Sequence, residues 1–456
     1  MKKGDIKVDL MGTTWVLIEK LGRGGQGTVW KVQHQKTKEL FAYKEYRANT
    51  NNIKENIQEL INIKEFHDEN GAPLNEVVLP ISMVECEGES FGYIMELIDL
   101  QDFTTIKKAR GANCPSYRSK CQIIKNFAKV FRILHTTYGM CYKDVNEGNI
   151  LFDPKNGDIR IIDNDNIGYS NKFTIKGSNG YMAPEVILGD NPDARSDVFS
   201  FAVFVYRLLV GGYPFEGPYT EQYCIQHDIL PNDARKVIYG TNALFVFHPS
   251  DKRNCLENST DSIEQNQIKF WNNLPRSIKD MFIKTFVTNL SKDRRAERTT
   301  ESEWENTFEN IAKSLITCPH CGCETFSESP KCLSCWTTLP NTSVSTSSKP
   351  RHKHKVLFLV LSANEAKRKI EVYVGDNLSA EQISKNLNNR GALFKILYNN
   401  KLQKIGIKNL SQSSWTIIHS NKTKEKCEPG HIHVLETGMM IRIIPKVAQL
   451  NVIKLT

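Results

Sequence analysis

The chain has 456 residues, 40% apolar and 24% charged, a composition that excludes chains disordered throughout, collagen-like repeats and membrane-embedded bundles. At about 150 residues per domain, the length allows about three domains. Sixty Lys and Arg against 51 Asp and Glu give a net charge of +9. Residues 351–456 carry 18 basic and 7 acidic side chains, so the basic surplus sits in the last fifth, either as a plain solvated face or as the place to seek an acidic partner, a phosphorylated segment or nucleic acid.

Taken in chain order, short β-like runs such as Trp15-Val16-Leu17-Ile18 and Thr28 to Val32 precede one amphipathic segment, Ile53 to Phe66. They predict a small sheet carrying one helix. After Asp102 the pattern turns helical: Ile123, Ile124, Phe127, Val130, Phe131 and Leu134 form one face. Short strands follow at Ile150 to Phe152 and Ile159 to Ile162. A strand-rich lobe followed by a helix-rich lobe is a two-lobed α+β layout. The most apolar stretch, Phe199 to Phe215, is interrupted by Arg207 and Gly211-Gly212 and is too short to span a bilayer; it predicts a core helix. No apolar run follows the basic N-terminus, so a cytoplasmic location and no membrane partner are expected.

Gly22, Gly24 and Gly27 lie at the spacing of a strand–turn–strand backbone that covers phosphates without Cβ collisions. Lys44 ends the strand-like run Phe41-Ala42-Tyr43-Lys44 and is placed to reach those phosphates. Asp144 and Asn149 flank a loop before the strand Ile150 to Phe152, and Asp163 follows the next strand. Such carboxylate and amide oxygens suit an attacking hydroxyl and Mg²⁺, a hard cation. Ala183-Pro184-Glu185, Asp197 and Arg298 complete an ordered set.

Over residues 12–315 this set resembles the eukaryotic-like protein kinase family, in a divergent bacterial form. The resemblance implies a Ser/Thr protein kinase using ATP and Mg²⁺, with autophosphorylation and a signalling or stress-response role. It implies that Lys44 pairs with Glu59, with Glu55 as a rival. Asp144 orients the substrate hydroxyl and Ser178 hydrogen-bonds it, while Asn149 and Asp163 hold Mg²⁺. Gly22, Gly24, Gly27, Val29, Ala42, Met95, Glu96, Ile98 and Asp102 line the nucleotide site. Asp197 anchors the catalytic loop, and Glu185 with Arg298 braces the helical lobe. Protein substrates follow, together with a metal-dependent phosphatase and a von Willebrand A-type protein as partners; nucleic acid is the weaker expectation. Three departures stand out: Tyr142-Lys143 replaces His-Arg, Asn146 replaces a lysine, and Asp163-Asn164-Asp165 replaces Asp-Phe-Gly. They leave open a pseudokinase scaffold that binds nucleotide and assembles partners through its C-terminal parts. The loop hydroxyls of Ser170 and Thr174 are either regulatory phosphorylation sites or simply solvated.

Cys318-x-x-Cys321 and Cys332-x-x-Cys335 form two knuckles separated by ten residues, the spacing of a structural Zn²⁺ ribbon whose four thiolates close the coordination sphere. Cys323 is a spare thiol. Residues 340–354, rich in Ser, Thr and Pro, predict a flexible linker. The remaining strands predict a small β-sandwich, and the segment from Ile405 to Trp415 weakly resembles a forkhead-associated domain, with Lys408 and Ser411 as its candidate contacts. Cys427, His431 and His433 offer three metal donors but alternate along a strand, which favours a plain hairpin face. The expected organisation is a kinase domain at 1–315 (N-lobe about 12–98, C-lobe about 99–315), a zinc ribbon at 316–339, a linker at 340–354 and an all-β sandwich-like recognition domain at 355–456.

Overall fold

The computed structural model describes residues 2–24, 27–46, 51–85, 90–109, 111–170, 177–257, 259–339, 355–362, 367–374, 377–379, 392–399, 402–411, 413–444 and 448–455. The expected linker 340–354, Gly25 and Gln26 of the glycine-rich turn, and Thr174 lie outside these residues. Two compact units are present, Met1–Thr342 and Ser343–Thr456.

The first unit opens with an antiparallel sheet ordered β1-β2-β3-β4-β6-β5. Its strands are β1 (Ile6–Val8), β2 (Thr14–Arg23), β3 (Gly27–His34), β4 (Leu40–Tyr46), β5 (Pro80–Glu85) and β6 (Phe91–Glu96). Alternation with a period of two divides each strand between two apolar layers. Trp30, Val32 and Tyr43 enter one; Ala42, Phe91 and Met95 enter the other, against Ile57 of α1 (Asn51–Ile63).

The helical lobe is built on α2 (Tyr117–Ile133), whose N-terminus is capped by Ser116 accepting from the Ser119 amide at 3.1 Å. Its predicted apolar face is fully buried, and Phe127 meets the edges of Phe201 and Phe204. The hairpin β7 (Ile150–Phe152) and β8 (Ile159–Ile161) follows, then α3 (Pro184–Ile187) and α4 (Ala194–Leu209). Thirteen of the sixteen α4 residues are buried, which is why its sequence is apolar all round rather than striped. A reciprocal Asp193–Ser196 capping box starts this helix. The lobe closes with α5 (Pro218–Gln226), α6 (Pro231–Lys236), α7 (Ser262–Asn273), α8 (Arg276–Ile283) and α9 (Glu301–Lys313).

The cysteine segment, with β9 (Ile316–Thr317) and β10 (Glu324–Thr325), packs onto this lobe and is no free spacer. Phe326 and Leu333 join the lobe's main core, and the Phe326 ring meets the edge of Tyr117 at 4.9 Å. Arg118 donates to Glu324 through Nη2 at 2.6 Å and Nε at 2.9 Å. Ser329 Oγ donates to the Asn273 carbonyl at 2.7 Å. Trp336 lies edge-on to Phe270, with the Lys269 ammonium 4.1 Å above its ring.

The second unit is mostly strand. One antiparallel sheet is ordered β12-β11-β20-β19-β16-β17, and the other β13-β14-β15-β18. In chain order these are β11 (Lys355–Ser362), β12 (Arg368–Tyr373), β13 (Asn377–Ser379), β14 (Ala392–Asn399), β15 (Lys404–Asn409), β16 (Trp415–Ile418), β17 (Lys424–Cys427), β18 (Ile432–Val434), β19 (Met440–Ile444) and β20 (Ala448–Leu455). Residues from both sheets, among them Phe358, Phe394, Ile407 and Trp415, share one apolar core. Among the described residues, no helix of the chain is long and apolar enough to cross a membrane.

Candidate active site

The turn between β2 and β3 needs glycine at one position, Gly27. A Cβ on Gly27 would sit 2.1 Å from the Glu45 carbonyl oxygen, so the β3–β4 approach admits hydrogen alone there. A Cβ on Gly22 or Gly24 would meet nothing within 4 Å. The β3–β4 register sets Lys44 opposite Val29, and the β4–β6 register sets Ala42 opposite Met95. Ala42 and Met95 are buried, Val29 and Ile98 half-buried, and Glu96 exposed. Asp102 is exposed as well, 3.8 Å from the ammonium of Lys155.

The Lys44 ammonium is buried and bound to two carboxylates, Asp163 and Asp165, the latter at 2.6 Å. Burial alone would lower its pKa, but the surrounding negative charge raises it above the ordinary lysine value, so the ammonium stays charged. Among the described residues, Lys44 forms ion pairs with the loop after β8 and none with the expected Glu59. From α1 the side chain that reaches this loop is Asn56, donating 2.7 Å hydrogen bonds to the carbonyls of Asp165 and Ile167. Glu59 is half-buried and Glu55 exposed on the same helix.

Asp163 has a left-handed backbone, φ 62°, and a side chain about one-third exposed. Asn164 is fully buried where an aromatic ring was expected by family pattern, and it replaces packing with hydrogen bonds to the Val78 and Ile161 carbonyls at 2.8 and 2.6 Å. Asp165 is 1% exposed. Its Oδ1 has no hydrogen-bond partner in the structure, and burial pushes its carboxyl up against the opposing pull of Lys44.

Asp144 and Asn149 come from the loop that enters β7. Ser178 Oγ donates to Asp144 Oδ1 at 2.8 Å, and the Asn149 amide donates to the Asp144 carbonyl at 3.2 Å. Burial raises the Asp144 carboxyl, and nearby Asp163 raises it further. Asn146 holds the loop as a turn: its Oδ1 accepts from the amides of Gly148 and Asn149 at 2.8 and 3.1 Å. Tyr142 is buried, and its hydroxyl donates to the Ile162 carbonyl at 3.2 Å. Lys143 donates to the Tyr169 carbonyl at 2.7 Å.

Behind this loop is a buried charge relay of structural kind. Asp197 accepts from the amides of Tyr142 and Lys143, and His135 lies between Asp197 and Glu301. Burial opposes the His135 charge, but the two carboxylates hold its pKa up at about 9. Sequence reading missed His135, Glu301, Asn56 and the role of Asp165. Farther down, Arg298 grips Glu185 with two parallel bonds of 2.7 and 2.8 Å, both groups being fully buried.

Outside the cleft, Cys318, Cys321, Cys332 and Cys335 converge, with Sγ–Sγ distances of 3.8 Å (Cys318–Cys335) and 3.7 Å (Cys321–Cys332). Cys323 and His320 are not part of the cluster. In the second unit the Ser411 hydroxyl is turned into its own loop, donating to Asn409 Oδ1 and accepting from the Trp415 indole.

A two-lobed fold that sets a buried lysine against two carboxylates, beside an aspartate held by a serine, is an arrangement suited to phosphoryl transfer. The family model for the protein kinase domain matches residues 15–307, and the chain belongs to the protein kinase family. It is 27% identical over 323 residues to the cGMP-dependent protein kinase of Plasmodium berghei, covering 69% of this chain and 35% of that protein. Against the serine/threonine-protein kinase PknA of Mycobacterium tuberculosis identity is 29% over 142 residues, 30% of this chain and 32% of that one. The autoinhibited serine kinase domain of titin is matched at TM-score 0.44 and 17% identity, over 66% of this chain and 83% of that chain. The chain thus spans about a third of the length of the curated relatives it matches.

Proposed function

We propose that the chain is an ATP- and Mg²⁺-dependent protein kinase that phosphorylates Ser or Thr hydroxyls of proteins, itself included. One observation carries this reading: the β4 lysine reaches across to Asp163, with Asp144, Asn149 and Ser178 gathered beside it. Asp163 and Asn149 offer the hard oxygen donors that Mg²⁺ takes, and the Lys44 ammonium already stands as a cation against Asp163. When bound there, Mg²⁺ supplies charge neutralisation to the nucleotide phosphates. The chain's own residues do the rest. Lys44 and the glycine-rich turn hold the phosphates. Ser178 donates to Asp144 Oδ1 and the Asn149 amide lies 3.5 Å from Oδ2, which fixes the carboxylate that would orient the substrate hydroxyl. That hydroxyl oxygen bonds the γ-phosphorus as the bridging oxygen leaves with ADP, and Asp144 takes its proton.

The four converging thiolates are a Zn²⁺ ribbon on this reading. A tetrahedral centre with Zn–S bonds of 2.3 Å places sulfurs about 3.8 Å apart, the spacing of Cys318–Cys335 and Cys321–Cys332. The two-sheet unit is a β-sandwich that recognises an acidic or phosphorylated partner, supported by its surplus of basic residues; the inward Ser411 hydroxyl shifts the candidate contact to Lys408. A cytoplasmic signalling role, with a phosphatase and a von Willebrand A-type protein as partners, rests on the sequence resemblance. The test is transfer from labelled ATP with Mg²⁺, comparing wild type with Lys44→Met and Asp163→Asn. Incorporation lost in both variants supports the kinase; nucleotide binding without any transfer by wild type, to itself or to a generic protein substrate, overturns it.

A further inference from the structure

Among the described residues, a second group of metal-type donors converges in the C-terminal unit: His419, Glu425 and His433, whose ligand atoms lie within 4.8 Å of one another. Nothing in the sequence spacing announces it. His419 follows β16, Glu425 lies on β17 and His433 on β18. Cys427 is buried and His431 exposed, so neither joins His433 in the arrangement that the sequence alone suggested. β17 ends the six-stranded sheet and β18 ends the four-stranded one. The three side chains therefore bridge the free edges of two different sheets.

The atoms that meet are specific. The Nε2 atoms of both histidines face the same Glu425 Oε1, that of His433 at 3.0 Å. The His419 and His433 rings lie 5.5 Å apart at an interplanar angle of 59°, so neither ring blocks the other's nitrogen. Ligands about 2.1 Å from a tetrahedral cation stand about 3.4 Å from one another, so a cation would need Glu425 to move by a few tenths of an ångström from its 3.0 Å contact with His433.

The far side of His419 supplies an independent pointer. Its Nδ1 is 3.8 Å from the carboxylate of Glu436. The His419 ring thus stands between two carboxylates, Glu425 at Nε2 and Glu436 at Nδ1, a placement that a proton or a metal cation at Nε2 satisfies. With a metal cation there, the ring keeps one proton. The imidazole proton then sits on Nδ1, facing Glu436, the carboxylate partner that metal-bound histidines commonly keep.

We propose that His419, Glu425 and His433 form a binding site for a first-row divalent cation of the Zn²⁺ type, with Glu436 orienting His419. Two imidazoles and one carboxylate select such a cation over Mg²⁺ or Ca²⁺, which prefer all-oxygen sites. Three protein ligands leave a fourth position for water. The site clasps β17 to β18 across the open edge of the unit, and it is distinct from the four-cysteine cluster in donor chemistry and in position along the chain.

The experiment uses the full chain stripped by chelator and dialysed to equilibrium against low-micromolar free Zn²⁺, with bound metal counted per chain. Wild type is expected to hold two equivalents and His419→Ala/His433→Ala one. Co²⁺ substitution separates the sites: thiolate-to-metal charge-transfer bands report the cysteines alone and remain unchanged in the histidine variant. Because that double variant could disturb the strands, Glu425→Gln provides a gentler check. It preserves the side-chain shape, and it is expected to weaken the second equivalent at least tenfold with the C-terminal circular-dichroism signal unaltered. One equivalent in wild type with intact thiolate bands overturns the proposal. So does a second equivalent that survives in the histidine variant, or one that appears only at millimolar Zn²⁺.

Discussion

Replacing Asp165 by Asn should disable phosphoryl transfer, whereas Glu59→Gln should leave it nearly intact. The pair Lys44–Asp165 is buried at both ends, 5% and 1% exposed at the side chains, with 2.6 Å between Nζ and Oδ2. At an effective dielectric of about 20, two unit charges at that separation attract by about 6 kcal/mol. Desolvation of both groups offsets part of this, and breaking a buried pair by removing one partner costs about 3–5 kcal/mol. On the proposed reading Asp163 would turn to Mg²⁺ when metal and nucleotide bind, which would leave Asp165 as a fixed anion for Lys44. Loss of even 3 kcal/mol in orienting that ammonium corresponds to a fall in kcat/KM of about a hundredfold. The assay is steady-state transfer from labelled ATP for wild type, Asp165→Asn and Glu59→Gln, with nucleotide affinity measured alongside. The reasoning is refuted if Asp165→Asn stays within about threefold of wild type while Glu59→Gln loses a hundredfold.

Other consequences are equally direct. The His135 pKa, about 9 when folded, exceeds the unfolded value of about 6.5; its stabilisation is complete below about pH 6.5 and disappears as pH rises through about 9. Thermal melts from pH 6.5 to 9.5 should fall in wild type and flatten in His135→Gln; parallel slopes would contradict the assignment. Glu185→Gln leaves the Arg298 guanidinium without its buried counter-ion and should cost about 3–5 kcal/mol in urea unfolding; a loss under about 1 kcal/mol would place the pair among ordinary surface bridges. Gly27→Ala must push a methyl group into the Glu45 carbonyl, and nucleotide affinity should drop with it; an unchanged affinity and melting temperature would show that β3 and β4 can separate freely. Stripping the four-cysteine site should lower the melting temperature of the catalytic unit, since Phe326 and Leu333 belong to its core; identical melts with and without chelator would refute that coupling.

The order of motifs made the kinase family legible, because Gly22 to Gly27, Lys44, Asp144, Asn149, Asp163 and Arg298 each need a particular chemistry at a particular step of the chain. The α2 face was legible for a simpler reason, a sustained 3.6-residue period. Which polar residue of α1 turns inward was not. Asn56 and Glu59 lie three apart and share a face, and periodicity cannot choose between them. The structure favours the amide because what it meets is a pair of carbonyls rather than an ammonium. The unusual residues at 142, 146 and 164 read in sequence as departures that leave a pseudokinase open, since a missing charge or ring is visible while its replacement bond is not. Each turns out to hold the loop by a different hydrogen bond. The histidine cluster was invisible because its members are joined only by strand order across two sheets.

The seating of Phe326 against Tyr117 has a consequence for how the chain is made. Tyr117 and Arg118 open the first long helix of the lobe, yet their partners Phe326 and Glu324 emerge from the ribosome some two hundred residues later. Until the cysteine segment has been synthesised and, on the proposed reading, has captured a metal ion, the start of that helix would stay uncovered. Metal supply would then act as a checkpoint on maturation of the nascent chain, and fragments ending at α9 would be the species that chaperones and proteases meet.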